Sequence, residues 1–491
     1  MASTLFRTKS IDRLMSDGGE GGESGLKRTL GPWSLIGLGI GAIIGAGLFV
    51  RTAAAIADRA GPSVTIAFMV AGLGCAFAGL CYAEFASMIP IAGSAYTYSY
   101  ATMGELVAWI IGWDLVLEYA VGAATVAIAW SEYLNKALEF IGLNVPYQWS
   151  HSPFQSDPVT AVHGMVNIPA IVILFLLTAL LVRGTQESAL VNNLIVITKV
   201  AIVILVICIG WGFMNPANHT PYIPPPSEFK DSAGITHAFG GIMGILGAAG
   251  TVFFAFIGFD AVSTAAQEAK NPKRDMPIGI LGSLAICTVL YVLFAHVLSG
   301  VGSVEDFRTA GREGSVAYVI TKYMVGYGWL SKFVTIAILA GFSSVILVML
   351  LGQSRVFYSM SRDGLVPKAF SDVHPKHRTP YKSNWLFFVF TALFAGFIPG
   401  DIVGDMTSIG TLFAFVLVCI GVWMLRVKRP ELVRGFRVPA VQVVATLGVI
   451  VCGAMIFGLG IANWLRLGIW LVIGLVIYFT YSVNHSKMNT P

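Results

Sequence analysis

The chain has 491 residues, of which 56% are hydrophobic and 12% are charged, and its formal net charge is +5. An ordinary soluble domain carries about a quarter charged residues, so this composition excludes a soluble globular protein. Apolar stretches of about 20 residues recur along the chain, and each is long enough to cross a bilayer core of about 30 Å. The composition therefore predicts a polytopic helical membrane protein.

The six cysteines stand singly inside apolar stretches, a distribution that predicts neither a disulfide framework nor a metal site. The first 30 residues are polar and mixed in charge. The apolar stretch after them is too long for the core of a signal peptide, so we expect no cleaved leader.

Hydropathy predicts an all-α fold with twelve membrane-spanning helices. Their approximate bounds are 33–58, 62–89, 104–141, 167–184, 188–213, 239–268, 277–301, 328–360, 384–398, 402–425, 438–460 and 464–483. The resulting division is a tail (1–30), a first half (31–213), an external loop (214–238), a second half (239–425), two further helices (438–483) and a second tail (484–491). Lys and Arg are concentrated in the loops on the side of the two tails, which predicts that both termini are cytoplasmic.

Two apolar stretches carry a glycine-rich interruption near the middle of the membrane, at residues 41–49 (GAIIGAGLF) and 253–260 (FFAFIGFD). A helix broken inside lipid exposes backbone groups that lipid cannot satisfy, so such a break persists only beside a protein-lined polar cavity. Breaks at corresponding places in two halves indicate the midplane binding site of a transporter.

The first interruption also has a structural interpretation, because Gly37, Gly41 and Gly45 are spaced as in a close helix-packing face. Gly47 departs from that spacing, and together with the second interruption it favours a true break. Helix N–H groups at a break suit a carboxylate, and helix carbonyls suit an ammonium group. An α-amino acid carries both groups on one carbon, so we expect it as the ligand.

Several short motifs together resemble the cationic amino acid transporter family of the amino acid–polyamine–organocation superfamily. The motifs are residues 41–49, 81–85, 93–98, 253–260, 258–263, 271–277, 353–355, 361–364 and 436–439. The resemblance implies a leucine-transporter-type fold, in which two inverted repeats of five helices begin with broken helices 1 and 6. Two extra C-terminal helices follow.

The resemblance also implies a substrate site at the two breaks. Its residues are Ile43, Gly45, Ala46, Gly47, Phe254, Ala255 and Ile257. The substrate carboxylate would meet backbone amides near Ala46 and Gly47, and its ammonium would meet the carbonyls of Ile43, Phe254 and Ile257. Phe254 would also cover the occupied site, although the role of an ordinary core aromatic remains the alternative.

Lys199 lies inside the fifth predicted span, where a Lys is costly unless it is paired or neutralised. The resemblance places its amine where sodium-coupled relatives hold a sodium ion, next to Ser343 and Ser344. Burial favours the uncharged amine, so we expect Lys199 to load and release a proton and the coupling ion to be a proton, not sodium. A permanently charged strut, or a Lys that reaches the interface, is the alternative.

Glu118 in the third predicted span faces the substrate side chain in the resembling family, where it could attract cationic substrates or sense protonation. A packing role, or a pairing role with a partner such as Arg51, is an equal alternative. Phe342 would narrow the side-chain pocket, which favours small or medium neutral amino acids over long cationic ones.

Four further charged residues are given no part in transport. Asp58 and Arg59 are interpreted as interfacial charges, Asp260 as a gating group and Glu84 as a helix-anchoring group.

These observations predict a secondary active permease for free L-amino acids, coupled to protons and working by alternating access in the plasma membrane or a bacterial inner membrane. We find no zinc-protease, P-loop or nucleophile-elbow motif and no channel filter, so neither an enzyme nor a channel is expected. An amino acid or polyamine exchanger, or a non-transporting receptor on the same fold, remains open. We expect no cofactor, metal or nucleic acid, and a small single-span accessory subunit stays an option.

Overall fold

The computed structural model describes residues 5–10, 30–89, 94–157, 160–184, 189–230, 236–264, 269–309 and 315–489. Within these ranges the chain is mostly helical, and eight helices are long and apolar enough to cross a membrane. This confirms a polytopic membrane protein.

The main helices are labelled in chain order. They are α1 (Pro32–Ile43), α2 (Val64–Met88), α3 (Ser94–Thr102), α4 (Glu105–Val116), α5 (Gly122–Glu139), α6 (Ile168–Arg183), α7 (Ala189–Gly210), α8 (Gly241–Phe253), α9 (Pro272–Val301), α10 (Val304–Thr309), α11 (Ser315–Tyr323), α12 (Gly328–Arg362), α13 (Tyr381–Phe397), α14 (Gly400–Lys428), α15 (Val441–Gly458) and α16 (Ile461–Ile477). Three of them, α3, α10 and α11, have fewer than ten residues.

The core forms where α9 packs along both α1 and α2, α5 packs on α12, and α14 packs on α15. Buried positions of α2 are rich in alanine and glycine, which let neighbouring backbones approach closely. Large apolar side chains such as Trp33, Ile242 and Phe457 point outward instead. Outward apolar side chains are expected where lipid, rather than water, surrounds the protein.

One end of the molecule carries a two-stranded antiparallel ribbon of β1 (Ser227–Lys230) and β2 (Thr236–Phe239). The ribbon follows Pro224, whose carbonyl accepts the backbone N–H of Gly241. We call this end the ribbon end. The opposite end contains residues 5–10 and the C-terminal residues 478–489, and we call it the termini end.

Three local elements differ from the sequence-based expectation. The prolines at 224–226 predict a stiff, extended connector at 214–230, but β1 of the ribbon already forms within it at Ser227–Lys230. Two short helices, α10 and α11, occupy the region 302–327, where the sequence predicts one. The helix α3 precedes the third predicted span and folds separately because Gly104, at φ 99°, ends it with a turn.

Candidate functional site

The first glycine-rich stretch is broken as predicted. α1 ends at Ile43, Ile44 is extended at φ −72° and ψ 101°, and residues 44–45 are not helical. The chain then resumes as a π-helical turn, Gly47–Arg51. The start of a helix directs backbone N–H groups towards the break, and the end of α1 directs carbonyl groups there.

The second stretch is broken as well. α8 passes into a 3-10 turn, Phe254–Phe256, and Ile257 is extended at φ −57° and ψ 136°. Residues 257–260 form turns before the short helix Ala261–Thr264 begins. Gly258 has φ 109°, a conformation that favours glycine.

The backbones of the two breaks lie in direct contact where they cross. A Cβ atom added to Gly47 would overlap the backbone of Ala255. A Cβ atom added to Gly258 would lie 2.9 Å from the carbonyl oxygen of Ala42. The predicted substrate-site residues of the two stretches are thus brought together, with Ile43, Ala46 and Phe254 all buried.

Tyr291 of α9 links the two breaks. Its hydroxyl lies 3.0 Å from the carbonyl oxygen of Ile43 and 3.0 Å from that of Ala255. The side chain is fully buried. Tyr291 is not predictable from sequence, because nothing in an apolar helix distinguishes a tyrosine that reaches a distant backbone.

Lys199 of α7 reaches the first break from the side. Its Nζ atom donates a hydrogen bond to the carbonyl oxygen of Gly41 at 2.9 Å, and its side chain packs on Gly341 of α12. A small cavity of about 10 Å³ lies beside it, lined by Gly45 and Phe342 among others. The amine of Lys199 therefore lies between α1 and α12.

The two serines predicted near Lys199 lie on α12. The Ser343 hydroxyl donates to the carbonyl oxygen of Leu339 in its own helix at 2.9 Å, and the Ser344 side chain is buried. Phe342, between Gly341 and this pair, packs edge-to-face on Tyr133 of α5 with ring centroids 5.7 Å apart. Its ring therefore contributes to the contact between α5 and α12.

Glu118 is fully buried in a π-helical turn, Leu117–Val121, between α4 and α5. Such turns occur frequently at functional sites. The carboxyl group of Glu118 faces that of Asp260 in the second break, and Tyr119 donates to Asp260 at 2.7 Å. The alternative pairing of Glu118 with Arg51 is wrong, because Arg51 contacts Asp405 of α14.

Arg51 belongs to an ionic cluster near the ribbon end that the sequence analysis missed. Asp405 accepts a hydrogen bond from Arg51, lies 3.6 Å from Arg59 Nη2 and accepts from Asn463 Nδ2 at 3.2 Å. Asp58 and Arg59 are both buried, so they are not the interfacial charges that the sequence suggests. The signal was the presence of arginine and aspartate inside apolar stretches.

This cluster lines a cavity of about 810 Å³ at the ribbon end. The cavity extends to Thr251, one helical turn before Phe254. The cavity therefore approaches the second break from the ribbon end. The ion pairs of Arg51 and Arg59 form part of its wall.

Comparison with known proteins agrees with this geometry. Residues 30–486 match the amino acid permease family, and the chain therefore belongs to that family. It is a transporter rather than an enzyme.

Three individual relatives show how far the similarity extends along the chain. The chain is 44% identical to the branched-chain amino acid permease BcaP of Bacillus subtilis, over 100% of both chains. It is 40% identical to the methylthioribose transporter of the same organism, over 99% of this chain and 100% of that one. It is 32% identical to the vacuolar cationic amino acid transporter 4 of Arabidopsis thaliana, over 87% of this chain and 68% of that one.

Proposed function

We propose that this permease takes up small or medium neutral L-amino acids, with branched-chain side chains first, by proton-coupled alternating access. The observation that carries the proposal is the crossing of two broken helices at Gly47 and Ala255, and at Gly258 and Ala42. Converging helix ends offer N–H groups to a carboxylate and carbonyls to an ammonium. The full-length similarity to a branched-chain amino acid permease supports the choice of side chain.

In this proposal the substrate carboxylate binds the amides that begin the half-helix at Gly47. The substrate ammonium binds the carbonyls of Ile43, Phe254 and Ile257. Phe342 and the apolar residues near it leave little room for a long cationic side chain. A neutral aliphatic side chain fits these surroundings without a charged partner.

The proposal extends to the arrangement of the helices. We infer twelve spans in a five-plus-five inverted repeat with two further helices, and we place the termini end in the cytoplasm. The support is that α1 and α8, which would open the two halves, both end in breaks. Lysine and arginine are also concentrated in the loops of the termini end.

Proton coupling is assigned to Lys199. An amine that reaches the Gly41 carbonyl beside the first break can hold α1 in place when charged and release it when neutral. Loading and release of a proton at this position would couple the pH gradient to movement of the broken helix. The proposal puts the Lys199 amine in the place of a sodium ion, so sodium has no role in it.

The test is uptake by purified protein in proteoliposomes. Radiolabelled L-isoleucine should accumulate when the external side is made acidic, and it should not respond to an imposed sodium gradient. Competition by all twenty amino acids defines the specificity. Saturable binding without flux would instead indicate a receptor, and flux that requires an internal amino acid would indicate an exchanger.

A second candidate substrate is methylthioribose, favoured by the 40% identity to a transporter named for it. This thioether sugar has neither a carboxylate nor an ammonium, so the helix ends at the breaks would have to bind its hydroxyl groups. Competition decides between the candidates, because excess methylthioribose should leave isoleucine uptake unchanged if the zwitterion is the substrate. Displacement of isoleucine by methylthioribose would favour the second candidate.

A further inference from the structure

The hydroxyl of Tyr291, in α9, is a side-chain donor that reaches carbonyl groups of both breaks. Ile43 is the last residue of α1, and Ala255 belongs to the 3-10 turn that precedes the second break. The hydroxyl lies 3.0 Å from the carbonyl oxygen of each. The tyrosine ring packs on Phe68 and Phe256, with centroids 5.6 and 5.3 Å away, so its position is fixed.

A tyrosine hydroxyl carries a single hydrogen. It can therefore make one full hydrogen bond, to either Ile43 or Ala255, and only a weak or shared bond to the other carbonyl. Carbonyls at a helix end lack a partner inside the helix, and burial makes an unsatisfied carbonyl costly. The hydroxyl consequently satisfies two acceptors incompletely as long as no further donor arrives.

We propose that Tyr291 is a positioning residue that holds the place of the substrate ammonium group while the site is empty. The inference rests on the proposed function, in which the ammonium binds the Ile43 carbonyl. A charged N–H donor makes a stronger hydrogen bond than a neutral hydroxyl. When the ammonium arrives, it takes over Ile43, and the tyrosine hydrogen is given wholly to Ala255.

Because of this exchange, substrate binding changes the hydrogen bonding at both breaks. In the empty protein the shared hydroxyl ties α1 to the turn after α8. In the occupied protein that tie is replaced by the substrate, and Tyr291 remains bound to the second break alone. The chemical class that can make the exchange is a primary ammonium compound, so a ligand without that group cannot.

The experiment compares Tyr291→Phe with Tyr82→Phe, measuring thermal unfolding and L-isoleucine affinity of the purified protein. Tyr82 is also a fully buried tyrosine, and its hydroxyl has no hydrogen-bond partner among the described residues. Tyr291→Phe should unfold at a lower temperature when empty. It should nevertheless bind isoleucine about five times more tightly, because the ammonium no longer displaces a hydroxyl from Ile43.

The matched ligand is 3-methylpentanoate, which is isoleucine without its amino group. Its affinity should not rise in Tyr291→Phe, and Tyr82→Phe should bind both ligands as the unchanged protein does. A structural tyrosine would lower the unfolding temperature of the empty and the occupied protein equally. Equal or weaker isoleucine binding by Tyr291→Phe would therefore overturn the inference.

A second variant covers the case in which Tyr291→Phe fails to fold. Incorporation of 3-fluorotyrosine at position 291 keeps the ring and makes its hydroxyl a stronger donor. Isoleucine should then bind about twofold more weakly, and unchanged or tighter binding would count against the exchange. Failure of the proposed function looks different, because then the unaltered protein shows no isoleucine binding at all.

Discussion

At the residue scale, the crossing of the two breaks depends on the missing side chains of two glycines. Gly47 lies against the backbone of Ala255, and Gly258 lies against that of Ala42. Only glycine allows two backbones to approach so closely, and Gly258 in addition needs its positive φ. These two positions, rather than the general abundance of glycine, set the geometry of the site.

Gly47→Ala is expected to abolish isoleucine uptake, because the added methyl group must push the two breaks apart. Overpacking of this kind costs about 1–3 kcal/mol of stability. Initial uptake rates in proteoliposomes, together with thermal unfolding, measure both effects. Gly37→Ala is the matched control, since a Cβ atom there meets nothing within 4 Å. Retained uptake by Gly47→Ala would mean that the breaks do not need their close contact.

Lys199→Met is expected to remove the response of uptake to an imposed pH gradient. Methionine keeps much of the packing on Gly341 but cannot carry a proton or donate to the Gly41 carbonyl. Exchange of internal for external isoleucine should continue, because it needs no net proton movement. Lys230→Met, at an exposed lysine of the ribbon, is the control. Undiminished accumulation driven by pH in Lys199→Met would remove Lys199 from the coupling mechanism.

At the element scale, the two terminal segments join at the termini end. The Lys9 side chain donates to Asp363 beyond α12 at 2.9 Å, and Tyr96 of α3 donates to the same carboxylate at 2.7 Å. Lys487 donates its backbone N–H to the carbonyl oxygen of Asp363 at 3.0 Å. Asp363 therefore holds the N-terminal segment, α3 and the C-terminal segment at one point.

Replacement of Asp363 by Asn should destabilise the protein more than Lys9→Met, because the carboxylate accepts from both Lys9 and Tyr96. A double-mutant cycle on the two sites should give a coupling energy of about 1 kcal/mol in thermal or denaturant unfolding. Lys136→Met is the comparison, since its pair with Glu139 is exposed and worth about 0.5 kcal/mol or less. Additive effects at Lys9 and Asp363 would show that the segments are not held by this pair.

The short helices α10 and α11 near the ribbon end are held together by a different carboxylate. Burial raises the pKa of Asp306, but hydrogen bonds from Lys322, Ser303 and Tyr323 outweigh it and hold the pKa at about 2. Because the folded pKa lies below the usual aspartate value, this contribution to stability is complete above about pH 4 and is lost as the pH falls through about 2.

Asp306→Asn is therefore expected to lower the unfolding temperature by the same amount at about pH 5.5 and about pH 7.5, where the carboxylate is ionised throughout. Thermal unfolding at the two pH values measures this. A loss that differs between them would mean that Asp306 titrates near neutrality. In that case its protonation would have to be separated from that of Lys199 in any pH profile of uptake.

Sequence alone could predict the helices and the breaks, because both are local. Hydropathy marks a span, and Gly47 and Gly258 within apolar stretches mark the interruptions at 41–49 and 253–260. It could not predict the ribbon of β1 and β2 or the division into α10 and α11. These segments lie outside the apolar stretches, and contacts with distant residues decide their structure, such as Arg308 stacking on Phe229 and Phe239.

Within the candidate site, Lys199 is conspicuous from sequence alone, because a charged residue stands out in an apolar helix. Tyr291 and the partners of Arg51 were not predictable, since both depend on which residues of remote helices come together. The same holds for the partners of Glu84. Its carboxylate, expected to anchor a helix, accepts hydrogen bonds from Arg426 and Arg434, which are far away in the sequence. Pairing across several hundred residues leaves no trace in local sequence.

At the scale of the whole molecule, clusters of ion pairs lie at both ends of the bundle. Near the ribbon end Asp405 joins Arg51 and Arg59, and at the termini end Glu84 joins Arg426 and Arg434. A permease that works by alternating access must open each end in turn. Because Arg51 belongs to the π-helical turn that follows the first break, movement of the broken helix would directly strain the cluster around Asp405.

Asp405→Asn and Asp401→Asn form a matched pair that tests this cluster. The Asp405 carboxylate is 10% exposed and contacts two arginines, whereas that of Asp401 is 28% exposed and lies 3.6 Å from Arg51. Removing the buried partner should cost about 3–5 kcal/mol of unfolding free energy, and removing the exposed one about 1 kcal/mol or less.

Uptake should follow the same order, with Asp405→Asn strongly impaired and Asp401→Asn close to the unchanged protein. Thermal unfolding and the initial rate of isoleucine uptake are measured on the same preparations, so that loss of folded protein is separated from loss of turnover. Equal effects of the two substitutions would show that the buried ion pairs do not set the stability of this end. The cavity near the ribbon end would then have to be closed by its apolar walls.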